Sequence, residues 1–201
     1  MSSQRARTLV EAYLYIRITA RAAEGEGHER HTARDYEAQT ALTEGPDEWR
    51  LFFDGRDLGL ALRIDVHIPY RAEADARRDG LRFGHGTSEL IDAGQWRMVS
   101  SGYAERAMRE DLRFIDTPTD ADLFGSVVLG WESARDAVAE AAKFLPPTAK
   151  EVPPSAFWTE TGRAAHRERP DLFTRESLER DIASYEEARV EFIVMHTSAR
   201  P

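Results

Sequence analysis

Cysteine is absent from the 201 residues, which removes disulfides, thiolate nucleophiles and Cys-ligated zinc or iron–sulfur centres from the chemistry open to this chain. Lysine is almost absent too: Lys143 and Lys150 are the two exceptions among 27 basic residues that are otherwise arginine. Guanidinium forks suit bidentate contacts to carboxylates or phosphates. With 36 acidic residues and a formal net charge of −9, however, the chain is a poor match for a nucleic-acid backbone. Long apolar runs are missing, because Arg, Asp or His breaks each patterned segment, so no membrane span is expected. The opening residues MSSQRARTLVEA lack an apolar stretch followed by a small-residue cleavage site, and the expected location is cytoplasmic. Phosphate-cradling GxxxxGK[ST] and the G-x-S-x-G elbow do not occur. GEG at 25–27 and GHG at 84–86 lack the third glycine of a dinucleotide site, so no motif assigns a cofactor.

What is present is patterned. From Leu58 to Ile68 the even positions Leu58, Leu60, Leu62, Ile64, Val66 and Ile68 are apolar, while Arg63, Asp65 and His67 fall on the odd ones. Such strict alternation marks a strand with one face in a core. Trp49, Leu51 and Phe53 precede it across Asp54-Gly55-Arg56-Asp57, which predicts a β-hairpin whose Asp-Gly supplies a positive φ. A strand over Leu9–Thr19 is expected on the same grounds, with Val10, Ala12, Leu14, Ile16 and Ile18 inward and Tyr13, Tyr15 and Arg17 on the polar face. Val190–His196, rich in β-branched residues, reads as a closing strand.

Helices are expected over a short stretch after Thr32, from near Ser88 with Gly94 as an interruption, from Thr119 to Leu145, and from Thr174. The stripe Leu123, Val127, Trp131, Ala134, Val138, Ala141 and Leu145 in the third of these steps by four and three residues. Residues 71–80 read as a charged surface excursion. Residues 146–173 carry five prolines among Phe157, Trp158 and Phe173, which predicts an extended arm without helix, laid over the domain or over a neighbouring subunit. The sum is α+β: a single domain over 1–201 with a mainly antiparallel sheet, several packed helices and that Pro-rich arm.

Candidate chemistry sits on the polar sheet face. Asp65 and His67, two apart in a strand, project together beside Arg63, as an imidazole oriented by a carboxylate requires, with His85 as a third group if a metal were shared. Tyr15 joins Asp65 and His67 as a candidate catalytic group, while Tyr13, Arg17 and Arg63 are candidate ligand-binding groups. His28 and His31, near Glu24, Glu26 and Asp35, have metal-ligating side chains. Gly25 and Gly27 favour a solvated loop there, so no metal site is assigned. Arg106, Arg109 and Arg113 form a ridge interleaved with Glu105, Glu110 and Asp111, as on a salt-bridged helix. The composition points to a small acidic binding or regulatory protein that masks a basic protein partner in the manner of immunity or inhibitor proteins. The alternative is an acid/base or metal-assisted enzyme acting on a small-molecule ligand at the polar face. Because Leu123–Trp131 is apolar on all sides, a homodimer through that helix or through the arm is expected.

Overall fold

The computed structural model describes residues 4–24 and 31–197. The fold is α+β, with seven α-helices and one four-stranded sheet among the described residues. It divides into two compact units after Leu90. Among the described residues no helix is long and apolar enough to cross a membrane.

In the first unit, β1 (Gln4–Arg5), β2 (Thr40–Glu44), β3 (Glu48–Asp54) and β4 (Arg63–Pro69) lie in the order β1-β4-β3-β2. All pairs are antiparallel except the two-residue β1 against β4. The hairpin is as expected: Ile64, Val66, Ile68, Leu51 and Phe53 are all buried. Its connection is longer than a tight turn, because Gly55–Leu58 form a 3₁₀ turn and β4 begins only at Arg63. The positive φ falls at Gly59 (+72°), where the turn ends, and not at Gly55. Gly55 is required for another reason, since a Cβ there would stand 2.8 Å from the Leu60 Cβ.

The segment expected as a first strand is instead helix α1 (Leu9–Ala23). Its apolar residues satisfy two periods at once: Ala12, Ile16 and Ala20, each fully or almost fully buried, recur every four residues as well as on alternate ones. Local chemistry decides between them. Thr8 Oγ1 accepts the Glu11 amide at 3.1 Å as an N-cap, and Glu73 Oε2 takes the Leu9 amide at 2.7 Å. Thr32 caps the short α2 (Ala33–Ala38) in a capping box with Asp35. The charged stretch after the hairpin is not a loose excursion but helix α3 (Tyr70–Arg78), which buries Ala76 and Glu73.

The second unit is helical: α4 (Ala93–Asp116), α5 (Ala121–Ala142), α6 (Glu160–Glu168) and α7 (Arg175–Thr197). Gly94 does not interrupt α4, which starts from the capping box of Asp92 and Gln95. A Cβ at Gly94 would lie 2.5 Å from the Gly162 Cα, so glycine is what lets α4 and α6 touch. The expected stripe of α5 is the observed one, with Val127, Trp131, Ala134, Val138 and Ala141 buried, although the cap is Asp120 and not Thr119. Ala104, Ala107 and Phe114 of α4 and Phe192 of α7 complete this core.

Two expectations fail here. Val190–His196 continues α7, because nothing after Tyr185 breaks a helix that already spans several turns, and extension adds a hydrogen bond for each residue ordered. The Pro-rich arm does contain a helix. Its prolines lie outside Glu160–Glu168, and Thr159 caps that helix by accepting the Gly162 amide at 2.9 Å. The rest of the segment is irregular, with 3₁₀ turns at Pro154–Ala156 and Pro170–Phe173, and is held by Val152 N donating to Phe173 O at 2.9 Å and Arg175 N to Lys150 O at 2.8 Å. Phe157 and Phe173 are buried, whereas Trp158 is partly exposed.

Candidate functional site

The sheet of the first unit turns Ile64, Val66 and Ile68 to its core and Arg63, Asp65 and His67 to the other side. Register then decides which groups meet them. His67 stands opposite Arg50 on β3 and Arg5 on β1, and Arg50 stands opposite Thr43 on β2. One row of side chains therefore crosses all four strands: Arg5, His67, Arg50, Thr43. The neighbouring rows hold Asp65 opposite Phe52 and Arg63 opposite Asp54.

Within this face the charges are paired across strands. His67 Nδ1 donates to Glu48 Oε1 at 2.6 Å, while its Nε2 lies 3.8 Å from Asp65 Oδ1. Asp65 is gripped by Arg50, whose Nε lies 2.7 and 2.9 Å from the two carboxylate oxygens and whose Nη2 also donates. That guanidinium holds the Asp65 carboxyl below the usual carboxylate range against a smaller opposing effect of burial. Arg63 reaches Asp54 at 3.2 Å and does not join Asp65. Asp54 is also held by Arg56, which is the main cause of its lowered pKa.

Beside the row, the β2–β3 turn forms the lip of an open cleft of about 540 Å³ lined by Arg5, Thr43, Glu44, Gly45, Pro46, Asp47, Glu48, Arg50 and His67. The lip is anchored. Gly45 N donates to Glu48 O at 2.9 Å, the Tyr70 hydroxyl donates to Gly45 O at 2.8 Å, and Tyr70 N donates to Asp47 O at 3.1 Å. Trp49 packs edge-on against the Tyr70 ring at 4.5 Å. Floor and lip differ in charge. On the floor Arg50 faces Asp65 and His67 is hydrogen-bonded to Glu48, while Glu44 and Asp47 at the lip make no ion pair among the described residues.

Asp65, His67 and Arg63 thus share a face as the alternation predicts, but the imidazole is oriented by Glu48 and not by Asp65. Tyr13, Tyr15 and Arg17 are not on that face at all, because their segment is α1. The Tyr15 hydroxyl accepts from Gln4 Nε2 at 2.6 Å, and Gln4 pairs in register with Val66 on the core side of the sheet. His85 is bound to Asp79 at 2.7 Å, away from His67. His31 donates from Nδ1 to Glu24 Oε1 at 2.8 Å, and the Tyr36 hydroxyl donates to the same oxygen at 2.5 Å. His28 and Glu26 lie outside the described residues. Glu48 and Arg50 are the residues that alternation alone misses: both occupy even positions of the 48–54 run, and the signal that finds them is the hairpin register.

Among the described residues no group of three or more His, Cys, Asp or Glu side chains is placed to hold a metal ion. Compared with protein-family models, with curated proteins and with solved structures, the chain matches none of them.

Proposed function

We propose that the chain is a small acidic binding or regulatory protein whose polar sheet face and β2–β3 turn receive a basic segment of a partner protein. The observation that carries this reading is the division of charge in the cleft. Arg50 is matched by Asp65, and Glu48 accepts from His67, so among the described residues the lip contributes the unpaired carboxylates Glu44 and Asp47, two against the single unpaired guanidinium of Arg5 in the cleft lining. An incoming Lys or Arg meets them on a turn already fixed by Tyr70, and little conformational freedom is lost on binding. A net charge of −9 adds long-range attraction for such a partner.

The test is titration with an octa-arginine peptide, monitored by amide shifts of residues 43–50. Glu44→Gln with Asp47→Asn is expected to weaken binding by about tenfold, roughly 1.4 kcal/mol. Equal affinity in this variant and the parent would mean that the cation responds to net charge alone, and the reading would be withdrawn.

A second reading is favoured by one distance. A 2.6 Å bond from His67 Nδ1 to Glu48 leaves Nε2 as the nitrogen able to exchange a proton with a ligand in the cleft. On that reading an activated aryl ester is cleaved faster by the parent than by His67→Ala, and Glu48→Gln falls between them. Equal rates in all three remove it.

A further inference from the structure

Helix α4 carries two apolar seams. The first, Ser100, Ala104, Ala107, Asp111 and Phe114, steps by four and three residues and faces the core shared with α5 and α7. The second is Met98, Ser101, Glu105, Met108, Leu112 and Ile115, spaced three, four, three, four, three, and all six residues are exposed. That spacing is the heptad seam by which one helix packs along another. Apart from Met1, every methionine of the chain lies outside the core: Met98, Met108 and Met195 are each exposed by half or more, as are Leu112 and Ile115. Arg97 with Asp181 and Phe114 with Phe192 link α7 to the inner side of α4, the two helices running in the same direction. Met98, Met108, Leu112 and Ile115 on one helix face form the kind of exposed apolar patch that marks an interaction site.

We propose that this face is covered by a second copy of the chain, α4 packing antiparallel on α4. The charges argue for self-association. Glu105 and Arg109 stand four apart at the middle of the seam, both exposed, yet neither makes an ion pair among the described residues, whereas Arg106 and Glu110 at the same spacing on the opposite flank do. A twofold axis through the seam's midpoint, between Arg106 and Ala107, sets Met98 against Ile115 of the partner subunit and Glu105 beside Arg109 of the partner subunit. Symmetry repeats each contact, so one carboxylate and one guanidinium give two reciprocal pairs. Helices laid antiparallel also oppose their dipoles favourably. The apolar surplus that suggests a homodimer therefore lies on α4 and not on α5, where Val127 and Trp131 are buried and Leu123, Phe124 and Val128 pack against the core of their own unit.

Sedimentation velocity of the full chain from about 1 to about 300 µM tests this, the range in which a modest helix–helix interface assembles. The expected result is a rise from 22.8 kDa to twice that mass. Leu112→Glu should keep the parent's circular dichroism and remain monomeric throughout, while Leu129→Glu, exposed on α5, should dimerise like the parent. Arg109→Glu should weaken association by about tenfold or more, and Glu105→Arg combined with Arg109→Glu should restore it. A parent that stays monomeric overturns the proposal, as does a dimer that survives Leu112→Glu or is not rescued by the charge swap.

Discussion

The β3–β4 hairpin and helix α4 each bury one face and leave another to water, but they finish the outer face with opposite chemistry. On the hairpin, Arg50, Asp65, His67 and Glu48 pair with one another across strands, so the exposed side satisfies itself. On α4 the outer side holds methionine, leucine and isoleucine, which water does not solvate well. Exposure alone therefore does not distinguish a finished surface from an unfinished one. The distinction lies in whether the groups left outside already have partners.

The two seams of α4 give the widest contrast. Phe114→Ala removes a ring packed between Phe124 and Phe192 and is expected to cost about 3–5 kcal/mol in chemical denaturation. Leu112→Ala, two residues earlier on the outer seam, should change the stability of the monomer by no more than about 0.5 kcal/mol. Comparable losses from both would show that the outer seam is packed. Next in size is Gly162→Ala: its Cβ would fall 2.1 Å from an Asp92 oxygen, and about 1–3 kcal/mol should be lost as α4 and α6 are forced apart.

Acid should act on the helical unit through Glu186. The Arg189 hydrogen bond, aided by Arg135, lowers its carboxyl from an unfolded value near 4.5 to about 2. A group depressed in this way contributes fully above pH 4.5 and loses its contribution as pH falls from there through 2. Because Glu186 is partly open to solvent, the loss is smaller than the shift taken at face value. Glu186→Gln should flatten the acid limb of a stability–pH curve between pH 5 and 2, and an unchanged limb would show that the ion pair is fully screened. The smallest effect is expected on the sheet face. In a double-mutant cycle of Arg50→Ala and Asp65→Asn, the coupling should fade as salt is raised, since the Arg50 side chain is more than half exposed. Coupling that persists in molar salt would mean that the cleft is drier than its openness implies.

What could be read from the residues follows from how many forces agreed on each segment. Over 63–69 alternation, β-branching and flanking turn residues all favour a strand, and the strand is there. Over 121–142 acidic residues at the N-terminal end, an unbroken stripe and the prolines that follow all favour helix, and the cap, Asp120 in place of Thr119, differs. At 9–23 alternation and helical spacing coincide in Ala12, Ile16 and Ala20, and the tie is broken by Thr8 and by Glu73, a residue more than sixty positions away that no local window includes. Around 160–168 the five prolines of the segment argue against helix, yet all of them lie outside it, and Thr159 starts it. The site shows the same limit. Asp65 and His67 share a face by local geometry, but their partners Arg50 and Glu48 depend on register, and register depends on the 3₁₀ turn at Gly55–Leu58.

Asp92 has one more consequence. Its Oδ1 accepts the Gln95 amide that starts α4, and its Oδ2 accepts both the amide and the hydroxyl of Thr159, the cap of α6. The carboxylate is fully buried, so neither helix start can be released without stranding a charge that the other still holds. The segment that looked like an appendage is thereby tied into the cooperative unit of the longest helix. In native-state hydrogen exchange the amides of Gln95, Thr159 and Gly162 should slow and open as a set, with one free energy shared by residues nearly seventy positions apart.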